Sequence, residues 1–181
     1  MPFDPREVRV LSELERQLRR VEEWPIDSPL AFVVHLAPRT RGKLGEMLLD
    51  GLAVAAGRTT APGGTPDFDR KVISDRQDVR VESKFSTEDP PRFQQIRDPR
   101  LADGTLMYDF LFCISGRPEG LVYWVLSAAD VATAMDAGQM INQHRDSTTK
   151  WFFPSRTAYD DYFATYRCAV DAVADWLRGV G

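Results

Sequence analysis

A chain of 181 residues, 43% of them hydrophobic, can bury one sizeable core without disulfides or cofactors. Its formal charge of −4 argues against a nonspecific nucleic-acid binder, which is normally basic, and no apolar run is long enough to span a bilayer. The N-terminus is charged from Asp4 and Arg6 onward and there are two cysteines, Cys113 and Cys168, so a secretory leader, a disulfide framework and a zinc site are unsupported and a single soluble cytoplasmic domain is expected.

The first predicted element is a mixed-charge helix from about Pro5 to Glu23, with Leu11, Leu14, Leu18 and Val21 on one stripe. A second helix begins near Arg41 and carries Leu44, Leu48, Leu52 and Ala55 at helical spacing before Gly57 stops it. Glu46 lies off that stripe, on a face shared with Gly42, Ala53 and Gly57, where small residues allow close approach to a sheet. The Gly/Pro-rich stretch Ala61 to Pro66 then leads into a hairpin: Phe68, Val72 and Ile73, a polar turn from Ser74 to Asp78, and the alternating run Val79 to Phe85. On an extended strand Val79, Val81, Ser83 and Phe85 share one side and Arg80, Glu82 and Lys84 the other, so a carboxylate and an ammonium sit side by side. A turn centred between Asp75 and Arg76 sets Asp69 opposite Glu82 and Asp67 opposite Lys84. A bulge would shift that register by one, and both aspartates stay candidates as ligands.

After Pro90-Pro91 a helix is predicted, carrying Arg92, Gln94, Gln95 and Arg97. Two apolar strands follow, Tyr108 to Ser115 and Leu121 to Leu126, joined by a Gly116 to Gly120 turn. Ser127-Ala128-Ala129-Asp130 has the form of a capping box opening a helix to about Met140. The loop from Gln143 through His144 and Arg145 to Lys150 is dense in groups that read base edges or grip phosphates, and it runs into the aromatic strand Trp151-Phe152-Phe153. A last helix is predicted over Thr157 to Arg178, with Tyr159, Phe163, Tyr166, Val170, Val173 and Leu177 in register.

Two histidines, His35 and His144, poorly supply a histidine-rich metal site, and G-x-S-x-G, Walker A and G-x-G-x-x-G motifs are absent. An Asp upstream of a strand bearing Glu and Lys two apart can hold a divalent cation and a water beside a phosphate. Pro66-Asp67 followed by Glu82-Ser83-Lys84 resembles the PD-(D/E)-x-K nuclease superfamily, which includes many type II restriction endonucleases. The resemblance implies a restriction-endonuclease-like α/β fold, a central mixed β-sheet flanked by helices, over about residues 40 to 155. The helices at about 5–23 and 157–178 would pack on that core or form a dimer interface. It implies Mg²⁺-dependent hydrolysis of DNA phosphodiesters, with Mn²⁺ as a substitute and no nucleotide cofactor. Asp67, or Asp69 in its place, and Glu82 would bind the metal; Glu46 would help order a second cation or its waters; Lys84 would orient the attacking water. Arg41, Lys43, Arg92, Gln94, Gln95, Arg97, Gln143, His144, Arg145 and Lys150 would contact double-stranded DNA. The compact size favours a standalone type II restriction endonuclease, expected as a homodimer because cutting both strands of a symmetric site usually needs two active sites, ahead of a structure-selective repair or recombination nuclease and of a non-catalytic DNA-binding protein of the same fold.

Overall fold

The computed structural model describes residues 24–25, 27–154 and 160–180, so the helix expected over about 5–23 lies outside the described residues. In chain order a 3-10 turn (Ala31–His35) and α1 (Pro38–Ala55) precede β1 (Thr59–Pro62), β2 (Arg70–Ile73), β3 (Val79–Ser86), β4 (Phe93–Arg97), β5 (Phe110–Arg117) and β6 (Gly120–Ser127). Then come α2 (Ala128–Asp136), β7 (Ile141–Asn142), β8 (Thr149–Phe152), α3 (Asp160–Ala164), β9 (Arg167–Cys168) and α4 (Val170–Gly179). The fold is mixed α/β, with a central mixed sheet flanked by helices. That sheet has the order β1-β2-β3-β5-β6-β9, and a second sheet of three strands has the order β4-β8-β7.

Strand β5 explains the layering. Leu111 and Cys113 enter one apolar cluster and Phe112 and Ile114 the other, all fully buried, which is the near-continuous apolar run expected of a strand covered on both faces. β5 runs parallel to β3 and antiparallel to β6, to which it is joined through Pro118-Glu119. One face of the sheet is packed by α1 and α4 through Leu49, Ala53, Val173 and Leu177; the other is packed by α2 and the small sheet through Val131, Ala134, Phe93, Ile96 and Phe152. Ser127 caps α2 in a full capping box with Asp130, but the helix ends at Asp136, short of the predicted Met140.

Three predicted elements differ. The helix after Pro90-Pro91 is instead strand β4, paired antiparallel to β8. On α1 the fully buried stripe is Gly45, Leu49 and Ala53, one position round from the predicted one, while Ala55 is exposed. Of the single helix expected over 157–178, residues 157–159 lie outside the described residues, and from Asp160 on there are two helices with β9 between them. Phe163 belongs to the cluster on one face of the sheet and Val173 and Leu177 to the other, so the chain has to cross the sheet's edge. β9 makes that crossing, pairing with β6 at Tyr123 and Trp124.

Candidate active site

The site forms where β3 loses a neighbour. β2 pairs with β3 only at Val79–Val81, so from Glu82 onward the described ladder on β3 is with β5 alone. Such an open edge leaves backbone donors to be satisfied otherwise. The Ser83 N–H is taken by the Asp69 carboxylate at 2.8 Å, while the Asp69 N–H donates to the Val81 carbonyl at 3.1 Å. Asp69 thereby faces Glu82 across the hairpin, in the register that Arg70 against Val81 begins.

Glu82 and Lys84 stand two apart on β3, with Lys84 Nζ 2.5 Å from Glu82 Oε1. Glu82 is only 7% exposed. Burial pushes its carboxyl above the usual range; the Lys84 charge pulls the other way and the Asp69 charge pushes further up. Their side of β3 is that of Tyr108, a buried residue whose hydroxyl donates to the Arg97 carbonyl at 3.0 Å.

Glu46 reaches the same edge from α1. Gly45 lies against β3 so closely that a Cβ there would sit 3.0 Å from Ser83 Oγ and 3.2 Å from Phe85 Cβ, and the neighbouring Glu46 is carried to the strand with it. Burial raises the Glu46 carboxyl, Arg70 opposes it, and Asp69 adds to the rise. The Asp69 charge is therefore felt by both glutamates.

The residue that sequence reasoning missed is Arg70. Its guanidinium contacts Glu46 Oε2 at 2.7 Å and Asp50 Oδ1 at 3.0 Å and donates to the Asp69 carbonyl at 3.1 Å, while Thr60 donates to Asp50 at 2.6 Å. Its place directly after Asp69 put it near the site in sequence, but nothing in the local spacing marked it as the partner of Glu46.

Asp67 is held on the Arg97 side of the site, and the Arg97 charge also reaches Glu82. The Asp67 carboxylate is 3.9 Å from Arg97 Nη1, and Arg97 also donates to the Pro66 carbonyl. A cleft of about 950 Å³ opens over the β3 edge; Glu46, Asp69 and Lys84 line it together with Arg39, Arg41, Lys43, Arg92, Gln94 and Gln95. Arg92 pairs with Glu88 at 2.8 Å and lies over the Trp151 ring at 5.3 Å. Arg41 donates to the Leu36 carbonyl at 3.1 Å. Gln143 joins β4 from the loop between β7 and β8, its Oε1 accepting the Gln95 N–H at 3.2 Å. His144 and Arg145 are exposed further along that loop, and Lys150, on β8, donates to Asn142.

Among the described residues no three His, Cys, Asp or Glu side chains form a ready group for a metal ion. Mg²⁺ does not require one, because it commonly takes one or two carboxylates and fills the rest of its octahedron with waters and phosphate oxygens. Asp69 and Glu82 offer oxygen donors only, the ligand chemistry that such an ion takes. Among the described residues no helix is long and apolar enough to cross a membrane.

No protein-family profile matches the chain, and no curated protein matches it. Among solved structures, a bacterial homing endonuclease is similar over 77% of this chain and 94% of its own, at 11% identity and a TM-score of 0.46. A likeness of that size leaves the function to be read from the residues.

Proposed function

We propose that this protein is a metal-dependent DNA endonuclease of the PD-(D/E)-x-K type, working as a type II restriction endonuclease. The observation that carries the reading is the juxtaposition, at one open strand edge, of Glu82, Lys84 and Asp69, with Glu46, Asp69 and Lys84 lining one cleft together with Arg39, Arg41, Lys43 and Arg92. Burial raises the Glu46 and Glu82 carboxyls and the Asp69 charge adds to the rise in each, a costly arrangement for a fold that divalent-cation binding relieves. Asp69 and Glu82 would hold Mg²⁺, with Glu46 beside them for a second ion or its waters. The bound ion would lower the pKa of a water and offset charge on the phosphorane. Lys84 would orient the attacking water and donate to the scissile phosphate. Arg41, Lys43 and Arg92 supply donors for the backbone phosphates along the cleft. Cutting both strands of a symmetric site would require a second copy of the chain.

Incubation of the protein with plasmid DNA and Mg²⁺, read on a gel, tests this. Discrete fragments are expected, and Lys84→Ala should abolish them while leaving DNA affinity within a fewfold of wild type. A smear, or preference for branched DNA, would replace restriction by repair. Intact plasmid in both Mg²⁺ and Mn²⁺, or undiminished cleavage by Lys84→Ala, would remove the nuclease assignment.

A further inference from the structure

Strand β4 interrupts its own ladder. Phe93 pairs with Phe152 and Ile96 with Lys150, so β4 carries one extra residue at Gln94-Gln95. Gln95 has φ of 58°, the one non-glycine residue in the left-handed region among the described residues. A Cβ crowds the carbonyl there, and such strain persists where surrounding structure over-determines it. The surroundings do so here. Phe93 and Ile96 are buried on either side of the bulge. Gln143 Oε1 accepts the Gln95 N–H at 3.2 Å and the Thr149 hydroxyl at 2.9 Å, and Thr149 is held in turn by Ser147.

The strain has a consequence for the cleft. On a regular strand consecutive side chains point to opposite faces, and one of these two glutamines would turn into the core. With the bulge, both are exposed and both line the cleft that holds Glu46, Asp69 and Lys84. The cleft already has cations for phosphate. A neutral amide, donor and acceptor together, suits a base edge, and glutamine is the bidentate partner of adenine N6 and N7 in the major groove.

We infer that the β4 bulge is a base-reading device: Gln94 and Gln95 recognise an adenine beside the scissile phosphate, and Gln143 is the positioning residue that holds them there. This rests on the DNA-cleavage reading above.

Cleavage of a duplex pool with randomised positions, followed by sequencing of the ends, should return a fixed A·T pair near the cut. Replacing that adenine by 7-deazaadenine, which lacks the N7 acceptor, should slow wild-type cleavage about 10-fold or more. The same replacement should cost Gln94→Ala and Gln95→Gly little or nothing. Gln95→Gly should also raise Tm by about 2 °C or more, because glycine adopts this φ freely. Gln143→Ala should lose adenine discrimination, and Gln143→Glu, which keeps the acceptor oxygen, should restore it. Site-specific cleavage without an adenine preference, a 7-deazaadenine penalty equal in wild type and Gln95→Gly, or a lowered Tm in Gln95→Gly overturns the inference and leaves the nuclease reading standing. Absence of any cleavage in Mg²⁺ or Mn²⁺ overturns both.

Discussion

At the scale of single residues, the two aspartates of the hairpin have been given different work. Asp69 faces Ser83 and its charge reaches Glu46 and Glu82, whereas Asp67 is turned toward Arg97. Asp69→Asn should therefore abolish metal-dependent cleavage, because a neutral amide is a weak ligand for a hard cation, and Asp67→Asn should leave most of it. Cleavage rates across a Mg²⁺ titration decide the matter, and a reversed order would return the ligand role to Asp67. Arg70 acts one step behind, gripping the carboxylates of Glu46 and Asp50 with a side chain 13% exposed. Removing one partner of a buried pair costs roughly 3–5 kcal/mol, and these partners are partly exposed, so Arg70→Met should lose stability at or below the low end of that range. A purely structural arginine would do no more. If it orients Glu46, the surviving folded protein should also need a higher Mg²⁺ concentration for half-maximal cleavage, with Arg70→Lys in between; an unchanged Mg²⁺ dependence would confine Arg70 to packing. The hairpin count made Asp69 legible, since a turn between Asp75 and Arg76 gives the observed pairing of Arg70 with Val81. Arg70 was not legible as a partner of Glu46, because nothing in local spacing tells which helix face meets which strand.

Elements bring these residues together, and the ones misread show why sequence periodicity falls short. β4 puts Phe93 and Ile96 on one buried face three positions apart, which is a helical spacing on paper. The bulge at Gln94-Gln95 produces the same spacing in a strand. The C-terminal stripe from Phe163 to Leu177 is likewise helical in period, yet its members are divided between opposite faces of the sheet. No single straight helix can serve both, and only the tertiary arrangement shows it. By contrast β5 and β6 were plain from their apolar runs, and the capping box of α2 from Ser127 and Asp130. On α1 the predicted stripe was one residue out because Gly45, which has no side chain to count as apolar, is the contact with β3. That contact can be tested. Gly45→Val should overpack the α1–β3 seam at a cost of about 1–3 kcal/mol and displace Glu46, reducing cleavage beyond what the stability loss accounts for. Gly51→Ala, in the same helix with nothing within 4 Å of the new Cβ, should be neutral or mildly stabilising. Urea midpoints for the two variants give the comparison, and equal midpoints would show that the close approach at Gly45 is not needed.

For the whole molecule the formal charge of −4 conceals an uneven distribution: Arg39, Arg41, Lys43 and Arg92 rim the cleft, while Glu46, Asp69 and Glu82 meet within or beside it. Burial, with the Asp69 charge adding to it, raises the Glu46 and Glu82 carboxyls, and unfolding releases that cost. A cation that binds the native arrangement and not the unfolded chain should then stabilise the whole protein. At a concentration 100 times its Kd the gain is about 2.7 kcal/mol; at about 2–4 °C per kcal/mol for a chain of this length, Tm should rise by about 5–10 °C. Calorimetry with Mg²⁺ against NaCl of matched ionic strength separates this from general screening, which acts on surface charges alone. Removing the proposed ligands should erase the response: in Asp69→Asn combined with Glu82→Gln, Mg²⁺ should shift Tm no further than the matched salt does. A wild-type protein indifferent to Mg²⁺, or a double variant that still responds in full, would mean that these carboxylates do not hold the ion.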